Sequence, residues 1–483
     1  MENKVHWLAP VAPHATSPTQ NPVLSTGNPP LTLHTPTHER LIALKNEIDR
    51  VAPVGYWDDA KKITNPYEYI FLSLQRRMPW SIASKQPLSR SYFKMIELWD
   101  LLELTAEGTS HSAEGPGGFL EAIQDRMGSA IPMIAMTLKS TERTVPGWRK
   151  SHSFLLKYPD VHITYGADGT GNLYSLANQD AFTAAAADRL PQGKACVYTA
   201  DGGFDFSADF NGQESTVQRL LIAEALAGLT TLKTGGVMIL KLFDMKSRAT
   251  LEFIWTLSMC FEHTALVKPY TSRPANSERY WIGKGFQPSG ATEWILRFFR
   301  FLTATDAPHG WDQLYAVQPA YPSAWLAQIQ AFQEQVELHQ YDKIQLTLNL
   351  IRAPTREIVL DLLVQNIANS RAWCHRHGIT FNTKYYELSD LQVALLNLAE
   401  ALGPFQASVA RMNLPVLFRP PPTHRAWISP LSQSPPTGPA WRTALPASVL
   451  GREPLQIVGG TPPSPLQAPV QSPPLIDPAP EPL

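Results

Sequence analysis

The chain has 483 residues, and its 41 lysines and arginines nearly cancel its 42 aspartates and glutamates, so bulk charge does not mark a nucleic-acid binder and any basic surface must be local. Three cysteines, Cys196, Cys260 and Cys374, are too few and too scattered for a disulfide framework or a structural zinc site, which fits a reducing compartment. The opening MENKVHWLAPVAPHATSP lacks the apolar core of a secretory signal, and no apolar run approaches membrane-spanning length, so the expectation is a soluble intracellular protein of nucleus or cytoplasm, with roughly two to three domains.

In chain order, residues 1–36 are rich in Pro, Thr, Ser and Asn without a periodic apolar face, and are expected to be disordered. From 37 to 305, short β-branched or aromatic runs alternate with amphipathic segments, the pattern of a parallel sheet covered by helices. The strands expected after a first one near residue 112 are IPMIAMTLK (132–140 region), VHITYG (161–166), KACVYTA (194–200), GVMILKLF (236–243), HTALVKPY (263–270) and ERYWIGKG (278–285). Helices fit between them at about 118–127, 176–188, 213–232 and 247–261. Residues 306–413, including WLAQIQAFQEQVELHQYDKIQLTLNLI, TREIVLDLLVQNIANSRAWCHRHG and LSDLQVALLNLAEALG, have apolar residues at helical spacing and read as a helical appendage. From 414 to 483 proline recurs every few residues, which predicts a disordered tail; its PPSP at 462–465 is the type of segment that SH3- or WW-like partners dock, and equally a solvated spacer.

In an open α/β sheet, ligands sit at the carboxyl ends of the strands, so the residues there are read first. SAEGPGGFLEAI, 112–123, puts Gly115, Gly117 and Gly118 before a helix, where a ligand can approach free N–H groups; many such turns are merely tight, and this one lacks the Walker lysine and GxGxxG spacing. YGADGTGNLY, 165–174, offers Asp168 and Asn172 in a polar loop suited to ribose or adenine, or is a plain surface turn. Asp201 follows KACVYTA directly, as a helix cap or a site carboxylate. Lys241 interrupts an apolar run expected to be buried on both faces, a costly position unless an acid pairs with it. Asp201 and Glu278 end strands that can neighbour it, and Glu278 is expected to meet Lys241.

SRSYFKMIEL (90–99 region, with Lys94), EGPGGF, ADGGFDFS, ILKLFD and SRPANSERYWIGKGF, in that order, resemble the FtsJ-like RNA ribose 2′-O-methyltransferases. Lys94, Asp201, Lys241 and Glu278 fall on that family's Lys-Asp-Lys-Glu tetrad, and the match runs over about 59–287. NPYE (65–68), GADGTGN, ADGGF and SRPANSERY are most similar to the cap-specific mRNA 2′-O-methyltransferases, cellular and viral, that form cap 1. The resemblance implies a Rossmann-like, seven-stranded, mostly parallel sheet with one antiparallel strand, and S-adenosylmethionine as methyl donor. By position it implies a donor loop of Glu114, Gly115, Pro116, Gly117, Gly118 and Phe119, with Asn172 and Leu173 near the adenosine. Asn172 stands where the cellular cap enzyme has aspartate, an amide in place of a carboxylate. Lys61, Ser215 and Asn276 align with RNA-contacting positions, although the residue types at 215–217 differ from the family's.

The chemistry implied needs a base for a feeble nucleophile, the ribose hydroxyl. A lysine serves only when part of it is neutral, which a neighbouring cation and desolvation favour and neighbouring acids oppose. Lys241 is the expected base, Lys94 orients the ribose or steadies the alkoxide, Asp201 positions Lys241, and Glu278 anchors the lysines. No metal is required; His375 and His377, after Cys374, lack a second cluster at ligand spacing and read as a solvated helix end. Tyr56, Trp57, Tyr67, Tyr69, Phe204 and Phe206 are candidates to stack on a cationic cap base, and Lys61, Lys62, Arg76, Arg77, Arg90, Arg273 and Arg279 to track phosphates, against core and scattered-surface readings. Capped RNA is the expected partner, with capping or transcription machinery as candidates for the proline-rich tail; uncapped ribosomal or transfer RNA, and a non-catalytic RNA-binding scaffold, stay open.

Overall fold

The computed structural model describes residues 5–11, 23–25, 33–51, 56–71, 81–142, 145–204, 212–305, 313–315, 321–353 and 356–380. The elements in order are β1 (His6–Trp7), β2 (Val23–Ser25), α1 (His38–Val51), α2 (Tyr56–Thr64), α3 (Ser91–Leu101), β3 (Thr109–Ser112), α4 (Gly118–Met127), β4 (Met133–Met136), α5 (His152–Lys157) and β5 (Val161–Thr164). They continue with α6 (Leu176–Arg189), β6 (Ala195–Ala200), α7 (Gln213–Thr231), β7 (Leu232–Leu242), α8 (Arg248–Ser258), β8 (Phe261–Val267), β9 (Arg279–Phe286), α9 (Gly290–Ala304), β10 (Gln313–Tyr315), α10 (Ser323–Arg352) and α11 (Arg356–Arg376). No helix among the described residues is long and apolar enough to cross a membrane.

The sheet has eight strands in the order β1-β8-β9-β7-β6-β3-β4-β5, while β2 and β10 form a separate antiparallel pair. Seven of the eight are the expected strands. From β3 the chain steps outward to β4 and β5, all parallel, then returns past β3 to lay down β6 and β7, also parallel. This reversal of direction opens a crevice at the carboxyl ends of β3 and β6. β9 inserts antiparallel between β7 and β8, with Lys241 opposite Tyr280 and Leu242 opposite Arg279. Its reversed course brings its first residues, rather than its last, to the edge where the parallel strands end.

Alternation along the strands sorts side chains onto two faces. Met238, Leu240, Leu242, Leu266 and Trp281 join one core cluster with α7, α8 and α9, while Val237, Ile239, Ala265, Tyr280 and Ile282 join another with α3 and α4. Lys241 follows Val237 and Ile239 in that period, so the pleat assigns it to the face covered by α3.

Segments from both ends of the chain reach the core. Within the segment expected to be disordered, His6 and Trp7 pair with Leu266 and Ala265 of β8 as the eighth strand, and Leu8, Val11 and Leu33 are buried in the core. Apolar residues spaced without period still bury when a sheet edge and a groove receive them. The helices of the supposed appendage are part of the same core: Trp325, Ile329, Phe332 and Val336 of α10 pack with the sheet, Ile344 and Leu348 of α10 with Leu41 and Leu44 of α1, and Val359, Leu363 and Trp373 of α11 with the α3 face. The stretch LSDLQVALLNLAEALG and the proline-rich tail lie outside the described residues.

Candidate active site

Four charged side chains form a chain of alternating sign at the carboxyl edge of the sheet. Lys94 projects from α3 with its Nζ 3.2 Å from both carboxylate oxygens of Glu278 and 3.4 and 3.5 Å from those of Asp201. Lys241 Nζ donates to the Asp201 main-chain carbonyl at 2.7 Å and lies 3.3 Å from Asp201 Oδ1. The order is therefore Glu278, Lys94, Asp201, Lys241. The expected pairing of Glu278 with Lys241 is corrected: the direct partner of Glu278 is Lys94, because α3 interposes its lysine between the two acids. All four side chains are only 11–13% exposed, buried enough to feel one another strongly and open enough for their tips to meet a substrate.

Burial disfavours the charge on Lys94, but Asp201 and Glu278 outweigh it and hold its pKa above the ordinary lysine value. Burial likewise works against the Glu278 carboxylate, and Lys94, Lys241 and Lys268 overcome it, holding its pKa below the ordinary range. Lys94 thus stays an ammonium between two carboxylates. The Tyr280 hydroxyl donates to Asp201 Oδ1 at 2.8 Å, a contact absent from the sequence reading because Tyr280 looks like strand core. Its signal was its place in register opposite Lys241.

The glycine turn lies beside this chain, between β3 and α4. Gly117 has φ of 101°, which a side chain would strain. A Cβ on Gly118 would stand 2.3 Å from the Ser89 and Ser91 hydroxyls, and one on Gly115 would stand 2.6 Å from the Gly147 carbonyl, so those two glycines serve chain packing whatever else they do. Glu114 is buried and accepts from the Thr199 hydroxyl; burial, with Asp201 adding to it, raises its pKa well above the usual carboxylate value. Phe119 is fully buried, 6.0 Å from the Tyr280 ring, and Leu173 is buried in the core, so both support the turn and the neighbouring loop from below. Pro116 offers its carbonyl to the Ser151 hydroxyl. Asn172 sits in the loop after β5 with Oδ1 accepting from the Tyr174 amide at 2.9 Å. The Asp168 carboxylate closes that loop itself, its Oδ1 accepting from Thr170 N and Oγ1 and from Asn178 Nδ2.

Of the proposed RNA-facing residues, several have structural partners. Arg279 is fully buried, its guanidinium on Asp244 at 2.9 Å, the Ser277 carbonyl at 2.8 Å and Gln333 of α10, so it is a core residue and not a phosphate contact. Arg273 grips Glu68 of NPYE at 2.8 and 3.1 Å, and Arg90 reaches the carbonyls of Phe71 at 2.6 Å and Glu68 at 3.2 Å. Burial opposes charge on Glu68, yet Arg90 and Arg273 bring its pKa down to about 2. Lys61 and Lys62 occupy the last turn of α2, half-buried. Ser215 donates to the Gly212 carbonyl at the start of α7, and Asn276 Oδ1 accepts from Lys268 at 2.6 Å. Tyr67 stacks on Tyr270, Tyr69 is buried, Trp57 packs beside Leu41 and Leu44, and Phe204 is 45% exposed just beyond Asp201. Phe206, Arg76 and Arg77 lie outside the described residues, as does the side chain of Tyr56. His377 is buried with Nδ1 2.6 Å from Asp100, which corrects its reading as solvated, while His375 is exposed. Among the described residues no group of three or more His, Cys, Asp or Glu side chains is arranged to hold a metal ion.

Residues 87–286 match the FtsJ-like methyltransferase family. The chain is 34% identical over 177 residues to the cap-specific mRNA (nucleoside-2′-O-)-methyltransferase 1 of Mus musculus, a stretch covering 36% of this chain and 20% of that protein. It is 30% identical over 185 residues to the protein of the same name from Drosophila melanogaster, covering 38% of this chain and 23% of that protein. The chain therefore spans about a fifth of the length of these curated relatives. Among solved structures it is similar to a ribosomal RNA methyltransferase of Plasmodium falciparum at 17% identity and a TM-score of 0.30, covering 42% of this chain and 100% of that one.

Proposed function

We propose that this chain, which carries an FtsJ-like methyltransferase domain at residues 87–286, transfers a methyl group from S-adenosylmethionine to the ribose 2′-hydroxyl of the first transcribed nucleotide of capped mRNA. The observation that carries the reading is the chain Glu278, Lys94, Asp201, Lys241 at the edge of the sheet beside the glycine turn. The relatives' names support the capped target.

The residues present suit the donor. A cationic sulfonium is favoured near the Asp201 and Glu278 carboxylates, and the turn at Gly117, opening α4, presents backbone N–H groups to a ligand. Glu114 to Phe119 would hold it on one side, with Asn172 and Leu173 on the adenosine side. When bound, it supplies an electrophilic methyl group whose leaving group is a neutral thioether.

The protein's own task is the proton. Lys241 Nζ, aimed by its 2.7 Å bond to the Asp201 carbonyl, takes the proton of the ribose hydroxyl as that oxygen attacks. Lys94, kept charged by its two acids, cannot compete as base and instead stabilises the developing alkoxide. Tyr280 donates to Asp201 and keeps one of its oxygens from swinging away from Lys241. Lys61, Ser215 and Asn276 are the proposed RNA contacts.

The test uses labelled donor with three RNAs of one sequence: capped with an unmodified first nucleotide, capped with that nucleotide already 2′-O-methylated, and uncapped. Label entering the first alone is the expected result. Equal labelling of uncapped RNA would move the target to another RNA class, and no labelling at all would make the chain a non-catalytic binder.

A further inference from the structure

Lys268 follows the end of β8 and lies half-buried beneath the 272–278 loop that delivers Glu278. Its Nζ lies 3.1 Å from Ser272 Oγ, 3.3 Å from the Arg273 carbonyl, 2.9 Å from the Asn276 carbonyl, 2.6 Å from Asn276 Oδ1 and 2.5 Å from the Glu278 carbonyl. Every one of these acceptors belongs to the loop. Lys94 fixes the carboxylate of Glu278, whereas Lys268 fixes the backbone that carries it.

We propose that Lys268 is a positioning residue for the transfer reaction: it sets where Glu278 meets Lys94 by binding the loop's carbonyls, and it holds the loop fully only while it carries its proton. An ammonium shares three N–H donors among these oxygens, whereas a neutral amine keeps two and turns a lone pair toward a carbonyl. The groups facing it are Glu278 and Arg279 where β9 begins, Lys94 of α3, Asp244 after β7 and His339 of α10. Burial is the main pressure against the charge, Arg279 and Lys94 reinforce it, Glu278 and Asp244 oppose it, and the pKa falls to about 7. The grip is therefore complete at lower pH and weakens as pH rises through that value.

The inference rests on the reading of the site as a methyltransferase centre, and its first test does not need activity. Amide hydrogen exchange of the peptide covering 271–279, corrected for intrinsic rates, is compared in the wild-type chain at about pH 6 and about pH 9 and in Lys268→Met and Lys268→Arg chains. The expected result is roughly tenfold faster exchange of this loop, relative to β7 and β9, at the higher pH and in the Met chain, with the Arg chain protected at both. In the methylation assay the Met chain is expected to lose about tenfold or more in kcat with KM for RNA little changed, and the Arg chain to lose the alkaline fall in kcat. Unchanged exchange in the loop across pH and variants would overturn the proposal. Altered exchange in a wild-type chain that methylates nothing would refute the proposed function and leave the role of Lys268 standing. If the Met chain fails to fold, the wild-type pH comparison alone decides.

Discussion

Lys241 and Lys94 are the same residue type within reach of the same aspartate, yet their surroundings assign them different work. Lys94 has an acid on each side, and Lys241 has Asp201 on one side and the Phe243 ring 5.8 Å away. Lys241→Met should lower kcat by about 10²–10⁴-fold, with donor affinity measured by calorimetry largely kept, because only the proposed proton acceptor is lost. Tyr280→Phe removes one hydrogen bond to a carboxylate, worth about 1.5–3 kcal/mol, and should reduce kcat by roughly tenfold or more while leaving KM for RNA near its original value. Lys241 was legible in the sequence as a charge inside an apolar run. The partner of Glu278 was not, since Lys94 comes from a helix 184 positions earlier and nothing local marks the approach. Tyr280 was hidden for another reason: an aromatic in a strand reads as core, and it is core, with only its hydroxyl serving the site.

At the level of elements, the antiparallel entry of β9 joins the site to α10. Arg279, next to Glu278, binds Asp244 and Gln333; Gln333 Nε2 donates to Glu337, and Glu337 lies 3.0 Å from Lys246, whose Nζ is 2.7 Å from His38 of α1. Burial disfavours the Glu337 carboxylate, and Lys246 outweighs it and keeps its pKa below the ordinary value. Removing one member of such a network leaves its partner charged and buried. Glu337→Ala should destabilise the chain by about 3–5 kcal/mol in urea unfolding, and more than a half-exposed neighbour such as Glu334→Ala. Helical spacing in the sequence located α10 and α11 but not their docking, because the face of α10 that meets the sheet carries Gln333 and Glu337, polar residues that apolar periodicity assigns to solvent.

Across the whole molecule, the family match ends at 286, but the core does not. The sheet face covered by α7 and α8 is completed by Trp325, Ile329 and Phe332 from α10 and by Leu8 and Val11 beside β1. An isolated 87–286 fragment should therefore expose a broad apolar face, with each such side chain forfeiting about 1.5–3 kcal/mol of burial, and should aggregate or unfold without cooperativity where the full chain gives a cooperative transition by calorimetry. The strands of the sheet and its α/β class were readable from the alternation of strand and helix signals; its closure by distant segments was not, since long-range docking leaves no trace in local pattern. The Glu68 contacts carry one mechanical consequence. Arg90 and Lys94 stand one turn apart at the head of α3, and their acids, Glu68 and Glu278, are tied to the same short loop through Arg273 and the chain itself. Two anchorage points fix a line where one would leave a pivot, so α3 is held against that loop in both position and direction, and the acids and ammoniums of the site are arranged before any ligand arrives.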